Sequence, residues 1–520
     1  MTRRALRPSD WLGLLALALV GGLILATLGA VFWRAEAPGR LGAADWAAIR
    51  FTVWQAFLSA VISCALAVPV ARALARRRFP GRGALVTLLG APFILPVIVA
   101  VLGLLAIFGR SGLISDLTGA LGLPPVRIYG LHGVVLAHVF LNLPLAVRLL
   151  LQGWLAIPSE RFRLAASLGF APRDVFRLLE WPMLRAVLPG ALAVVFLICL
   201  TSFAVALTLG GGPRATTVEL AIYQAFTFEF DLARASLLAA VQLVMTAGAA
   251  LLAGRIAVPA AMGAGLGRAV ERWDAGAFRL KAQDAAFIIM TSIFLILPLA
   301  AVAWRGLPEI IALPVSVWMA ALRSLAVALG SAALALALAL PIALLTERLR
   351  GEASRLAEAA GYMSIAASPL VLGTGLFILV RPWADPVALS LAVTALVNAM
   401  MSLPFALRAL TPAVREAEAQ FGRLADSLGL TGWARLRLLV LPRTRRAMGF
   451  AAGIAAAFSM GDHGVIALFA DADHATLPLQ LYRLMGVYRM DAAMGAALLL
   501  MGLSLAIFWL FDRGGRLAQV

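Results

Sequence analysis

RLAASLGFAPRDVFRLLEWP runs from Arg163 to Pro182, and RLADSLGLTGWARLRLLVLP runs from Arg423 to Pro442. At a constant offset of 260 residues, ten of the twenty positions are identical: Arg163, Leu164, Ala165, Ser167, Leu168, Gly169, Arg177, Leu178, Leu179 and Pro182 recur as Arg423 through Pro442. The likeness extends outward. Asn142–Arg148 (NLPLAVR) faces Ser402–Arg408 (SLPFALR), Tyr223 faces Tyr482, Asp231 faces Asp491, and Ser59 and Pro69 face Ser331 and Pro341 at an offset of 272. Repetition over this length, tested before any other feature, marks a duplicated unit.

Between and around the copies the chain is apolar. Hydrophobic residues make up 62% of its 520 residues and charged residues 13%, where soluble domains carry about 25% charged residues. Mean hydropathy is +0.95. Apolar runs long enough to cross a bilayer fall near 11–33, 50–71, 84–108, 130–151, 187–209 and 233–254. They resume near 285–304, 320–345, 359–381, 387–407, 447–470 and 491–511. The expectation is an all-α integral membrane protein of twelve helices. Residues 1–254 form one six-helix unit, 255–284 a Gly- and charge-rich cytoplasmic linker, and 285–520 the second unit. Six spans separate the two copies of the opening stretch, so the repeat is parallel and both copies face one compartment.

The net charge of +18 reads as topology rather than nucleic-acid binding. ARALARRRFPGRG, after the second span, holds five arginines in thirteen residues. Arginine-rich loops stay in the cytoplasm, which places the repeated loops and both termini there. The opposite-side loops, including GGGPRATTVEL and DADHATLPLQL, mix charges. The N-terminal apolar run is too long for a signal-peptide core and reads as an uncleaved first span. Cys64 and Cys199 lie in apolar runs and pair with nothing predictable, and His132, His138, His463 and His474 have no metal-ligand spacing.

Inside each repeated loop, a helix ends at Gly169 (Gly429) and a short helix starts near Pro172, where Gly432 stands in the second copy. That helix runs to Pro182 (Pro442), which ends it. Val175, Phe176, Leu178 and Leu179 give it an apolar face, with Arg173, Arg177 and Glu180 opposite. One amphipathic loop is accounted for by a lipid interface. Two loops with the same 13-residue Gly-to-Pro spacing are better accounted for by docking onto a paired partner.

This pattern resembles the cytoplasmic EAA loop of ATP-binding-cassette importer permeases. The resemblance implies that loops 159–185 and 412–446 carry coupling helices that insert into an ATPase. Arg163, Ala165, Gly169, Arg177, Leu179 and Pro182 mark the first, and Arg423, Ala425, Gly429, Arg437, Leu439 and Pro442 the second. Two positions depart from it: Arg163 and Arg423 replace the usual glutamate, and Trp181 stands where a leucine is usual. Leu200–Phe226, with its LGGGPRATTVELAIYQ, and Ser459–Ala493 are similar to the fused permeases of bacterial thiamine importers; fused ferric-iron permeases share the architecture. The implied partners are two copies of an ATPase, which binds ATP and Mg, a periplasmic substrate-binding protein, a small-molecule substrate and the lipid bilayer. No nucleic acid, no metal and no cofactor on this chain are implied, and the implied location is the bacterial inner membrane.

The chain's own residues agree with a transport subunit rather than an enzyme. A phosphate-cradling loop needs Gly-Lys-Ser/Thr, and the one lysine, Lys281, follows Leu280. A twelve-helix secondary transporter shares the parallel plan but does not call for matched loops after spans four and ten. Polar residues within spans are the candidates for a pathway. Asp462, which faces Ser202 in the repeat, together with Phe203 and Phe458, suits a passing cation. Asn142 and Asn398 read as hydrogen-bonding glue between helices.

Overall fold

A computed structural model describes residues 8–34, 41–90, 94–256, 272–349, 351–366, 368–471 and 473–517. Among them every regular element is a helix, and ten helical runs are long and apolar enough to cross a membrane. The Leu441–Gly461 helix, which opens on Arg443, Arg445 and Arg446, and the twelve-residue Pro369–Val380 helix are not among those ten. Half of the expected linker, residues 257–271, lies outside the described residues. Its last part does not behave as linker, because residues 278–284 already belong to the Phe278–Gly306 helix.

Four expected spans are interrupted. The run near 84–108 divides into Arg82–Leu88 and Val97–Phe108, where Pro96 supplies no N–H donor. The run near 359–381 divides into Glu352–Gly361, a short 3-10 turn and Pro369–Val380. Ser368 caps the last piece by accepting from Val371 N at 3.1 Å. The runs near 187–209 and 447–470 break at Thr201–Ser202 and at Asp462–His463, giving the pairs Trp181–Leu200 with Phe203–Leu209 and Leu441–Gly461 with Gly464–Phe469. Unwound backbone is tolerated at such depth where protein or a cavity surrounds it.

The two loops read as lying opposite the arginine-rich side are not surface loops throughout. Val218–Thr227 and Leu477–Gly486 are helices whose first turns are buried. Each is capped from a long neighbouring helix: Val218 N donates to Thr52 Oγ1 at 2.9 Å, and Leu477 N donates to Ser324 Oγ at 2.8 Å. Thr52 and Ser324 stand at the 272-residue offset. A hydroxyl from the adjacent helix thus satisfies an orphan N–H in both places.

The first helix of the chain packs away from its sequence neighbours. Pro8–Arg34 lies against Val315–Arg348 and Pro369–Val380, and Phe278–Gly306 lies against Ala43–Arg76 and Val97–Phe108. Glycine permits both crossings. A methyl group on Gly103 would stand 2.7 Å from the Pro298 carbonyl oxygen, and one on Gly375 would press on the Thr27 carbonyl. Gly103 and Gly375 are themselves 272 residues apart. Close backbone approach at small residues is how helices gain contact where water supplies no driving force.

Candidate functional site

The two repeated loops adopt one backbone design. Leu168 N donates to Leu164 O, Gly169 N to Ala166 O and Phe170 N to Ala165 O. In the second copy Leu428 N donates to Leu424 O, Gly429 N to Asp426 O and Leu430 N to Ala425 O. This is the six-to-one closure of a helix C-terminus, and it requires a left-handed residue at its corner. Gly169 and Gly429 fill that corner at φ +67° and +63°.

A short helix follows in each copy, Pro172–Val175 and Gly432–Arg435. Next comes a π-helical turn, Phe176–Glu180 and Leu436–Val440. The chain then continues without a stop into Trp181–Leu200 and Leu441–Gly461. Pro182 and Pro442 therefore do not end the short helix, contrary to the sequence expectation. Proline lacks the N–H that would serve the carbonyl four residues earlier. The turn widens instead, with Trp181 N bonding Phe176 O and Leu441 N bonding Leu436 O.

The copies also share their burial pattern. Ala165 and Ala425 are buried, Leu179 is half-buried and Leu439 buried, while Arg163, Arg177, Arg423 and Arg437 are exposed. Three leucines per copy face outward at matching positions: Leu164, Leu168 and Leu178, and Leu424, Leu428 and Leu438, each at least 54% exposed. Leu178 was expected beside the buried Val175; the structure separates them.

The copies differ in how they are anchored. In the first, Pro158 holds Ile157 extended and splits Leu131–Ala156 from Ser159–Ser167. Glu180 was expected on the polar face, but it is fully buried. It is bound by Arg72 at 2.7 Å, by Arg272 and by Trp154 Nε1 at 3.3 Å. Arg272 also stacks over Phe162 at 5.2 Å, which ties the end of the inter-repeat segment to this loop. In the second copy Glu418 replaces Pro158, and a single helix, Ser390–Ser427, runs through. Arg435, at the position of Val175, is buried. Its Nε donates to Glu418 Oε1 at 3.0 Å, its Nη1 to Asp426 Oδ1 at 2.6 Å, and its Nη2 to Glu418 Oε2. The Glu418 hydrogen bonds, and then those of Asp426, raise the Arg435 pKa above the ordinary arginine value.

The second site is a cavity of about 390 Å³ at the two helix breaks. Ser202, Phe203, Phe458 and Asp462, the four expected pathway residues, all line it. Asp462 Oδ1 accepts from Gly464 N at 3.1 Å, while Oδ2 has no partner of ordinary geometry. Asn142 lines the cavity as well, and its Nδ2 donates to the His138 carbonyl at 2.9 Å and to Cys199 Sγ at 3.4 Å. Asn398 donates to Ser459 Oγ at 3.1 Å. Both asparagines make the interhelical contacts expected of them. Cys64 and Cys199 are free, buried thiols.

Sequence reasoning missed three residues at this cavity: His138, Glu219 and His463. Glu219 was hidden inside a stretch read as a loop. His138 was detectable, because it lies one helical turn before Asn142 and so shares its face. His463 faces Phe203 at the 260-residue offset, and the two rings stack at 6.0 Å. Phe203 meets Tyr223 at 5.2 Å and His463 meets Tyr482 at 5.1 Å, both edge-on. The result is a row of four rings, Tyr223–Phe203–His463–Tyr482, two from each repeat.

No protein-family model matches the chain. It is 39% identical to the thiamine transport system permease protein ThiP of Escherichia coli K12, over 98% of both chains. It is 42% identical to the protein of the same name from Brucella abortus, over 96% of this chain and 94% of that one. A shorter match, 33% identical over 178 residues, joins it to the molybdenum transport system permease protein ModB of Azotobacter vinelandii and covers 78% of that protein.

Proposed function

Since the chain belongs to the family of thiamine transport system permease proteins, we propose that it is the membrane subunit of an ATP-driven importer that moves thiamine and its phosphate esters into the cytoplasm. The observation that carries this reading is the extent of the likeness: both loops and every residue lining the cavity fall in a chain matched to its relatives almost end to end.

The ten long helices, with Leu441–Gly461 and the interrupted run ending in Pro369–Val380, make twelve crossings in two six-helix units. An even number of crossings and the arginine bias put both termini in the cytoplasm of a bacterial cell with this chain in its inner membrane. The outward leucines of the two loops are apolar surface that nothing among the described residues covers. Each set docks on one ATPase subunit, so two copies bind, and these hold the ATP and Mg. Energy comes from that partner, because this chain has no Gly-Lys-Ser/Thr loop. A binding protein delivers substrate from the other side, and the substrate passes the helix breaks at Ser202 and Asp462.

Uptake of labelled thiamine in cells lacking this gene, and in the same cells regaining it, tests the reading. Restored, ATP-dependent uptake is the expected result. Equal uptake with and without the gene refutes it.

A further inference from the structure

We propose that Glu219 and Asp462 together form a binding site for an organic cation within the permease itself, one carboxylate standing at each helix break. This rests on the importer reading above and extends it, because a permease that only opens and closes needs no binding site of its own.

The carboxylates line one cavity, and each is tied to a break. Gln242 Nε2 donates both to Glu219 Oε1 at 3.1 Å and to the Leu200 carbonyl at 3.0 Å, the last carbonyl before the Thr201–Ser202 break. Asp462 is itself the residue that follows the Leu441–Gly461 helix. Each acid also stands at the start of the next helix, Glu219 in the first turn of Val218–Thr227 and Asp462 accepting from Gly464 N of Gly464–Phe469, where the helix dipole favours the ionised carboxylate. A carboxylate there, away from water, is costly without a counter-charge.

The cavity does not supply one. No arginine or lysine is among the described residues lining it, in a chain with 44 of them. Hydrogen bonding within the bundle does not account for the acids either. Glu219 is fully buried, yet its Oε2 makes no hydrogen bond of ordinary geometry, and neither do Asp462 Oδ2 and Gln242 Oε1. The donors near the acids, the Ser368 hydroxyl at Glu219 and the Asn398 amide at Asp462, are neutral and leave the negative charge unmatched. A ligand that brings positive charge and N–H groups satisfies the acids.

The remaining lining selects among cations. Phe203, Phe405 and Phe458 present rings, which attract a delocalised or alkylated cation and offer nothing to a small, strongly hydrated ion. The volume of about 390 Å³ falls in the range of small-molecule pockets, roughly 300–1,000 Å³.

The test is equilibrium binding of labelled thiamine to the purified full-length permease with its ATPase, in lipid nanodiscs. Saturable binding by the wild type is expected. Glu219→Gln and Asp462→Asn should each raise Kd by about tenfold or more, and the pair should abolish binding. Glu219→Asp keeps the charge and should bind better than Glu219→Gln. Binding of neither thiamine nor choline by the wild type, or wild-type affinity in either neutral variant, overturns the site. Equal losses in Glu219→Asp and Glu219→Gln would assign the effect to packing and also overturn it. Should Glu219→Gln not fold, Asp462→Asn at the other break decides alone. Choline is the second probe. Glu219-dependent binding of choline without binding of thiamine would uphold the cation site and refute the thiamine reading.

Discussion

Arg435 offers a quantitative test of how the second loop is held. Its side chain is 8% exposed and grips Glu418, which is 17% exposed, through both carboxylate oxygens. Replacing it with valine, the residue at the equivalent position 175 of the first loop, removes the guanidinium and leaves Glu418 in place. Breaking a buried pair by removing one partner costs about 3–5 kcal/mol, and an exposed pair is worth about 0–1 kcal/mol. Glu418 keeps some contact with water, so Arg435→Val should destabilise the chain by about 2 kcal/mol.

Adding Glu418→Ala should recover at least half of that loss, because the more buried carboxylate is gone and Asp426, which also pairs with Arg435, is 53% exposed and stays solvated. The first loop establishes that an apolar side chain suits the place: Val175 is fully buried, and Pro158, not an acid, holds the position of Glu418. Thermal unfolding of the purified chain in detergent, for wild type, both single variants and the pair, gives the coupling free energy directly. A single Arg435→Val variant as stable as the double one would refute the argument that the lost pairing of Glu418 is what matters.

Leucine at both Gly169 and Gly429 forces a side chain into left-handed backbone at about 1–2 kcal/mol each; the protein should still reach the membrane, with thiamine uptake and ATPase stimulation lost, and normal uptake would leave the lipid-interface account of these loops standing. Asp462→Asn should slow uptake of thiamine by about tenfold, equivalent to 1.4 kcal/mol in the limiting step, and uptake at the wild-type rate with normal expression would remove Asp462 from the pathway. A reporter active only in the periplasm, fused after Val520, should be silent, and activity from an intact fusion would overturn the even number of crossings.

The repeated loop was legible because its constraints are local. A glycine at a left-handed corner, small residues beneath it and a proline 13 residues on leave a mark in a single stretch of sequence. The helix breaks were not legible, for a reason of scale. Hydropathy read over spans of about 20 residues integrates across Thr201–Ser202 and Asp462–His463, whose neighbours are as apolar as any helix interior. The same averaging assigned Glu219 to a loop, since Gly210–Gly212 and Pro213 mark a turn and the buried helix after it is only ten residues long. Glu180 was misread as an ordinary member of an amphipathic face, and nothing near Arg435 in the sequence marks it as buried. Their partners Arg72, Arg272 and Glu418 come from other turns or other helices, and helical spacing carries no information about them.

Duplication within one chain also permits what pairing of identical subunits forbids. Two copies of one subunit would place the same group at both helix breaks. Here Ser202 faces Asp462, Phe203 faces His463, and Val175 faces Arg435 across the repeat. The backbone keeps its symmetry: matched breaks, matched caps from Thr52 and Ser324, matched glycine crossings at Gly103 and Gly375. The side chains at the cavity do not. The second repeat carries its acid in the break itself, and the first supplies Glu219 from the helix that follows. The cavity therefore presents two carboxylates in unequal settings, one beside an imidazole and one held by an amide. A symmetric site gives a ligand two equivalent orientations. An unequal one distinguishes the ends of a molecule such as thiamine, in which a cationic ring is joined to a neutral aminopyrimidine. At the cavity, the halves diverge at the positions where a substrate with two different ends would meet them.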